Sequence, residues 1–364
     1  MCWNKTILLF ALVLYFGKVK GQDSTMHKFS FEIKGGYSKI LAHRGYVRPL
    51  GIARFLLVDA AFDVQTNGIK DWHHHYKLPS YGISLLYCNF DNRKYLGNAV
   101  GLISHFNFKV VQKEHFSHYI KAGVGLGYIE KIFDQEYNFQ QVAIGSHLNG
   151  CVNLQFNFKF LLKKFAYNPY IGLTHFSNAA IKVPNLGVNI LSFGIGVSMR
   201  SVKQRILKKD SVTNVCMHTN KMYYVTSLCY GVKTNLPELS KRYKEATIGV
   251  TAFKPFSYKS HWGVGADVFY DALQQEKLNK GKGIKTIMKL GIHSAYALNI
   301  DKFAIIAGLG FYIFDAAKYN TIFYNRIGIR YHISNKFVIQ SVILAHAARA
   351  HYLEAGIGYS INKK

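Results

Sequence analysis

Four stretches of this chain alternate strictly between apolar and small or polar residues, and that period of two limits its fold more than any other feature. From Cys151 to Phe160, the apolar Val152, Leu154, Phe156, Phe158 and Phe160 interleave with Cys151, Asn153, Gln155, Asn157 and Lys159. At 191–200, Leu191, Phe193, Ile195, Val197 and Met199 interleave with Ser192, Gly194, Gly196, Ser198 and Arg200. The segments 119–128 and 352–361 repeat the pattern, with Lys121 and three glycines opposite Ile120, Ala122, Val124, Leu126 and Tyr128 in the former. Successive side chains of a strand point to opposite faces, so each segment reads as a strand with one apolar face. Beyond the N-terminal segment no run of about 18 apolar residues occurs, which excludes helical membrane spans. Yet hydrophobic residues make up 49% of the chain and aromatics 15%, with only six prolines. Segments of about ten residues with this patterning are the signature of a transmembrane β-barrel.

A soluble β-sandwich also alternates. The barrel is favoured by the length of the runs, by Tyr and Phe near their ends, and by the N-terminal segment. There, Lys5 precedes an apolar run from Ile7 to Phe16, followed by Val19-Lys20-Gly21. The run is about half of the roughly 20 residues a spanning helix needs. Residues 1–21 are therefore expected to be a signal peptide, with mature protein from near Gln22. The rest suggests an all-β, closed, antiparallel transmembrane β-barrel of about 14–16 strands, since a membrane strand cannot leave an open edge in lipid. Residues 202–214, carrying Lys203, Arg205, Lys208, Lys209 and Asp210, read as a basic linker loop between 22–201 and 215–364. The second part is expected to be a β-strand extension of the same barrel. Cys88, Cys151, Cys216 and Cys229 form no C-x-x-C pair and read as free, structural cysteines.

The chemistry-bearing stretch is 171–189, IGLTHFSNAAIKVPNLGVN. It sets His175 and Ser177 two apart on a strand, on one face with Ile171 and Leu173. At that spacing an imidazole can take the proton of a serine hydroxyl and make it a nucleophile. An apolar surface around the pair suits an apolar substrate. Asn189 shares the parity of Leu191 and Phe193, which places it on the same face of the strand returning from the 178–187 loop.

The segments Thr174-His175-Phe176-Ser177-Asn178 and Pro184-Asn185-Leu186-Gly187-Val188-Asn189 resemble the motif of the lipid A 3-O-deacylases, the outer-membrane acyloxyacyl hydrolases. Similarity extends through Trp72, Pro79–Gly82, Leu96–Ala99, Gly125–Tyr128 and Ala143–Asn149, and is greatest to long bacterial members with an extra C-terminal β region. The resemblance implies an eight-strand core in the bacterial outer membrane, a lipopolysaccharide or lipid A ester as substrate, and no metal or organic cofactor. It implies Ser177 as nucleophile and His175 as general base, with Asn178, Asn185 and Gly187 at the oxyanion. Where the family places a glutamate twelve residues after the serine, this chain has Asn189. An amide can orient the imidazole but cannot stabilise imidazolium as a carboxylate does.

Other polar clusters read as structural. Ser146 and His147 are adjacent, so on a strand they face opposite ways and cannot pair. His73-His74-His75, read as an extended turn, splay apart and make no shared metal site. In the tail, His346, Arg349 and Glu354 form a polar cluster, with Glu354 on the barrel-interior face. The net charge of +27, from 46 Lys and Arg against 19 Asp and Glu, suits lipopolysaccharide phosphates. The export signal and the lack of a binding module argue against nucleic acid. A porin-like or transport barrel, and a catalytically silent barrel of the same family, are the alternatives to an esterase.

Overall fold

Sixteen strands account for nearly all regular structure among the described residues. A computed structural model describes residues 28–362, apart from 43–44, 52–53, 163–164, 200–220, 235–240, 278–287, 316–320 and 348. The expected signal peptide, the 202–214 linker and Cys216 lie outside the described residues. The strands are β1 (Lys28–Ile40), β2 (Arg54–Gln65), β3 (Ser80–Asn89), β4 (Asn98–Gln112), β5 (Phe116–Ile129), β6 (Leu148–Leu162), β7 (Phe165–Ser177) and β8 (Val188–Met199). They continue with β9 (Tyr223–Thr234), β10 (Arg242–Pro255), β11 (Ser260–Asp271), β12 (Met288–Ile300), β13 (Phe303–Asp315), β14 (Phe323–His332), β15 (Phe337–His346) and β16 (Arg349–Asn362).

All neighbours pair antiparallel, and the sheet closes twice. β1 pairs with β8 from Glu32↔Ser198 to Ile40↔Ile190. β16 pairs with β9 from Leu353↔Val232 to Asn362↔Tyr223. The all-β, closed, antiparallel reading and the strand count stand, but the expected single barrel is two barrels of eight strands each. The strands from Tyr223 to Asn362, within the expected 215–364 extension, accordingly form a separate barrel rather than more strands of the first. Closure satisfies every ladder group whether it happens once or twice, and alternation along a strand carries no information about which strand it pairs with.

Both barrels are apolar outside and polar inside. On β6, Val152, Leu154, Phe156 and Phe158 face out while Asn153, Gln155 and Asn157 are buried. Phe156, Phe158, Phe193 and Ile195 are 41%, 39%, 50% and 53% exposed, the reverse of a sandwich, which would bury them between two sheets.

An eight-stranded lumen is narrow enough for side chains to fill. In the first barrel Lys34 Nζ donates to Gln155 Oε1 at 2.8 Å and Asn157 Oδ1 at 2.6 Å. Lys121 Nζ and Gln155 Nε2 both donate to Asp59 Oδ2, at 2.7 and 2.8 Å. Large residues are matched by glycines: the Tyr170 ring occupies the space a Cβ on Gly36 or Gly194 would need. In the second barrel, Asp267 accepts from Arg326 Nη1 at 2.7 Å and from the Tyr324 hydroxyl at 2.9 Å. Arg326 also bonds Glu354, which takes the Thr247 hydroxyl at 2.6 Å. Glu354 is therefore an interior residue as expected, but its partners are Arg326 and Thr247, while His346 bonds the Tyr312 hydroxyl at 3.0 Å. Cys88, Cys151 and Cys229 are free and buried.

One rim of the first barrel, where β7 ends and β8 begins, is closed by an apolar cluster including Val47, Leu50, Phe90, Leu96, Ile144 and Phe176. His73 to His75 lie at the opposite rim in a helical turn, Asp71–His75, not in extended chain. Gly68 N–H donates to His73 Nδ1 at 3.2 Å, and His75 stacks on Tyr258. These rings pack and cap.

Buried charges that lose a partner are costly, by about 3–5 kcal/mol when one side of a pair is removed. Arg326→Leu, which leaves Asp267 and Glu354 without their guanidinium, should therefore lower the urea midpoint of the folded protein, read as its heat-modifiable band on a gel. An unchanged midpoint would show that this network does not hold the second barrel together.

Candidate active site

The site stands on the apolar exterior of the first barrel, at the rim sealed from inside by Phe176. His175 and Ser177 are both half-buried and share the outward face of β7, while Thr174 and Phe176 between and beside them are buried. Cross-strand register then brings in the third residue. His175 lies directly opposite Asn189 on β8. The Asn189 side-chain oxygen is 2.6 Å from His175 Nδ1. A carbonyl oxygen only accepts, so this contact puts the ring proton on Nδ1 and leaves Nε2 as the basic nitrogen.

The loop joining β7 to β8 supplies the rest. Ser177 Oγ accepts from Asn185 Nδ2 at 2.8 Å and from the Ala179 N–H at 3.2 Å. Asn185 is itself fixed, because its Oδ1 accepts the Asn178 N–H at 3.1 Å. The Asn178 side chain turns into the loop, donating to Ser146 Oγ and to the Lys182 carbonyl, both at 2.8 Å. Gly187 gives its N–H to the Ala143 carbonyl at 2.9 Å. Of the three residues expected at the oxyanion, Asn185 thus has its amide on the serine, and Asn178 and Gly187 hold the loop that presents it.

Gly187 also has a steric task. Its φ is +79°, and a Cβ there would come within 2.6 Å of His175 Cε1. Only glycine meets both demands without strain. Ala179 and Ala180 also adopt left-handed backbone, at φ 51° and 65°, which costs on the order of 1–2 kcal/mol per residue with a Cβ. A conformation so disfavoured persists where surrounding bonds over-determine it.

Three supports escaped sequence reasoning. Ser146 is a hydrogen-bond partner of Asn178; it and His147 precede β6 rather than lying on a strand, and His147 Nδ1 lies 2.9 Å from the Ile129 carbonyl. Gln141, fully buried, accepts the N–H groups of Ala143 and Ile144 at 2.9 and 3.0 Å and so shapes the stretch against which Gly187 docks. Thr234, from the second barrel, accepts the Val183 N–H at 3.0 Å. Nothing in the local sequence around any of them signals proximity to Ser177.

Beside the serine the surface is apolar. Gly150 of β6 lies opposite Ser177, flanked on the same face by Leu148 and Val152, with Leu126 and Tyr128 on β5 beyond. All four flanking side chains are exposed. No group of three or more His, Cys, Asp or Glu that could hold a metal ion occurs among the described residues.

No curated protein matches the chain. Among solved structures it is similar to Neisserial surface protein A, at 10% identity and a TM-score of 0.33, covering 47% of this chain and 96% of that one. It is similar also to a mutant of the Rh. blastica porin, at 9% identity and a TM-score of 0.20, covering 92% and 100%. Likeness at these scores carries no argument about activity. The family models are more specific. Residues 57–198, from β2 to the end of β8, match the lipid A 3-O-deacylase model. Residues 220–363 match the acyloxyacyl hydrolase C-terminal domain. With one model falling on each barrel and the two together spanning most of the chain, this protein belongs to the lipid A 3-O-deacylase family.

Proposed function

We propose that the protein is a serine esterase of the bacterial outer membrane that hydrolyses an acyl ester of lipid A or a related glycolipid. The observation that carries this reading is the His175–Asn189 contact beside an amide-held Ser177, all on the apolar outer face of the barrel. An acyl chain lying over Gly150 between Leu148 and Val152 would bring its ester to Ser177 without leaving an apolar environment. The basic character of the chain suits the phosphates of such a substrate. A leader at residues 1–21 would deliver the chain across the inner membrane.

In this mechanism His175 Nε2 takes the proton of Ser177 as Oγ attacks the ester carbonyl. The oxyanion that forms is stabilised by Asn185 Nδ2, which exchanges its hydrogen bond with Oγ for one with the developing charge. Removing a donor of this kind costs about 10²–10³ in kcat. The imidazolium then protonates the departing sugar alkoxide, and water, deprotonated by His175, releases the fatty acid from Ser177. Asn189 holds the tautomer that makes His175 a base. It offers the imidazolium a carbonyl dipole where a carboxylate would offer a full charge, so turnover should be slower than with an acid in that place.

Ser177→Ala and His175→Ala should each abolish fatty-acid release from purified lipopolysaccharide, followed by mass spectrometry, while the heat-modifiable band persists. Undiminished release in either variant would sink the mechanism.

Asn189 discriminates a working site from a silent one. Asn189→Glu should preserve or raise hydrolysis. Asn189→Leu, similar in size but unable to accept the Nδ1 proton, should lower it at least about tenfold, well inside the roughly 10⁴ seen when a triad acid is replaced and the wrong tautomer fixed. Equal rates for Asn189→Leu and the native protein would remove Asn189 from the site.

A further inference from the structure

The two barrels meet at their rims. At one, Lys70 Nζ pairs with Asp301 Oδ2 at 2.8 Å, and the Tyr76 hydroxyl donates to the Asn299 carbonyl at 2.6 Å. His75 stacks on Tyr258 at the same rim, with ring centroids 4.0 Å apart. At the opposite rim the contact is made to the loop that follows Ser177. Thr234, the last residue of β9, accepts the Val183 N–H on its hydroxyl at 3.0 Å. Its own N–H donates to the Ala180 carbonyl at 3.4 Å. Thr234 is buried in this junction.

The loop gripped in this way begins at the residue after Ser177 and includes Asn185, whose amide holds the serine, and Gly187, which backs the His175 ring. Within it Ala179 and Ala180 are in left-handed backbone, and Ala180 is the residue whose carbonyl Thr234 takes. From inside the first barrel the loop is restrained by Asn178, through Ser146 and Lys182. Between Ala180 and Val183, the N–H groups of Ile181 and Lys182 are held within the loop by Asn178, while the Ala180 carbonyl and the Val183 N–H are held by the second barrel.

We infer that Thr234 is a positioning residue for the site, through which the C-terminal barrel holds the β7–β8 loop in the conformation that places Asn185 on Ser177. The inference rests on the esterase reading, and it assigns the second barrel a task in the first barrel's chemistry. Thr234 touches no reacting atom. It acts through the loop, so its loss should slow the chemical step more than it weakens binding of substrate to the apolar face.

The test uses the full-length protein in detergent micelles with purified lipid A. Thr234→Val keeps the shape of the side chain and removes the hydroxyl, and Thr234→Ser keeps the hydroxyl. For Thr234→Val, amide exchange of the 178–187 peptide should quicken and kcat fall, each by about fivefold to tenfold as for one lost hydrogen bond, with KM little changed. Thr234→Ser should restore both. A Thr234→Val enzyme with native kcat, or a Thr234→Ser enzyme as slow as Thr234→Val, would overturn the inference. If the native protein releases no fatty acid, the esterase reading fails by itself. Exchange then still decides the clamp: faster exchange in Thr234→Val supports it and unchanged exchange overturns it.

Discussion

Pairing of every backbone N–H and C=O along the sheet governs the rest of this structure. An open edge would leave a row of N–H and C=O groups unpaired, and a sheet that closes on itself has none. This chain meets the requirement twice, through β1 with β8 and through β9 with β16. Closure at eight strands then sets the interior. The lumens are too narrow for bulk water and are packed with side chains, which is why Lys34, Lys121, Asp59 and Glu354 are buried yet partnered. A lumen crossed by such networks fits a rigid scaffold rather than a porin-like conduit.

A rigid barrel is also what allows a site to be built on its outside. Register across an antiparallel pair is fixed by the ladder, so His175 and Asn189 are held face to face by backbone hydrogen bonds rather than by side-chain packing. The serine is placed by the end of the same strand. The loop needs separate restraint because two of its residues adopt backbone that a Cβ disfavours. Bonds from Ser146, Ala143 and Thr234 supply it. Two of these partners lie in a stretch packed under the loop and one lies on the other barrel, so the site is assembled from three distant parts of the chain.

Much of this was legible in residue order. A period of two, read over about ten residues at a time, distinguishes outward Phe156 and Phe193 from inward Asn157 and Ser192 without any knowledge of pairing. The same parity groups His175 and Ser177 with Leu173, and Asn189 with Leu191 and Phe193, on apolar faces; that His175 and Asn189 stand opposite each other is set by the β7–β8 register. The helical turn at 71–75 was not legible. Three consecutive histidines carry no periodicity, and the turn forms where Gly68 and Lys70 donate to His73 Nδ1.

Residue order alone reads as an all-β chain whose strands turn an apolar face outward, and it singles out the residues that could carry ester chemistry on that face. These are local properties, set by the alternation of side chains along a strand. Folding in three dimensions adds that the strands close as two barrels, that Asn185 rather than Asn178 has its amide on Ser177, and that Thr234 reaches the loop beside it. Those facts depend on which strand finds which partner and on how a loop folds back on itself, and neither strand partner nor loop path is encoded in the period of the pattern.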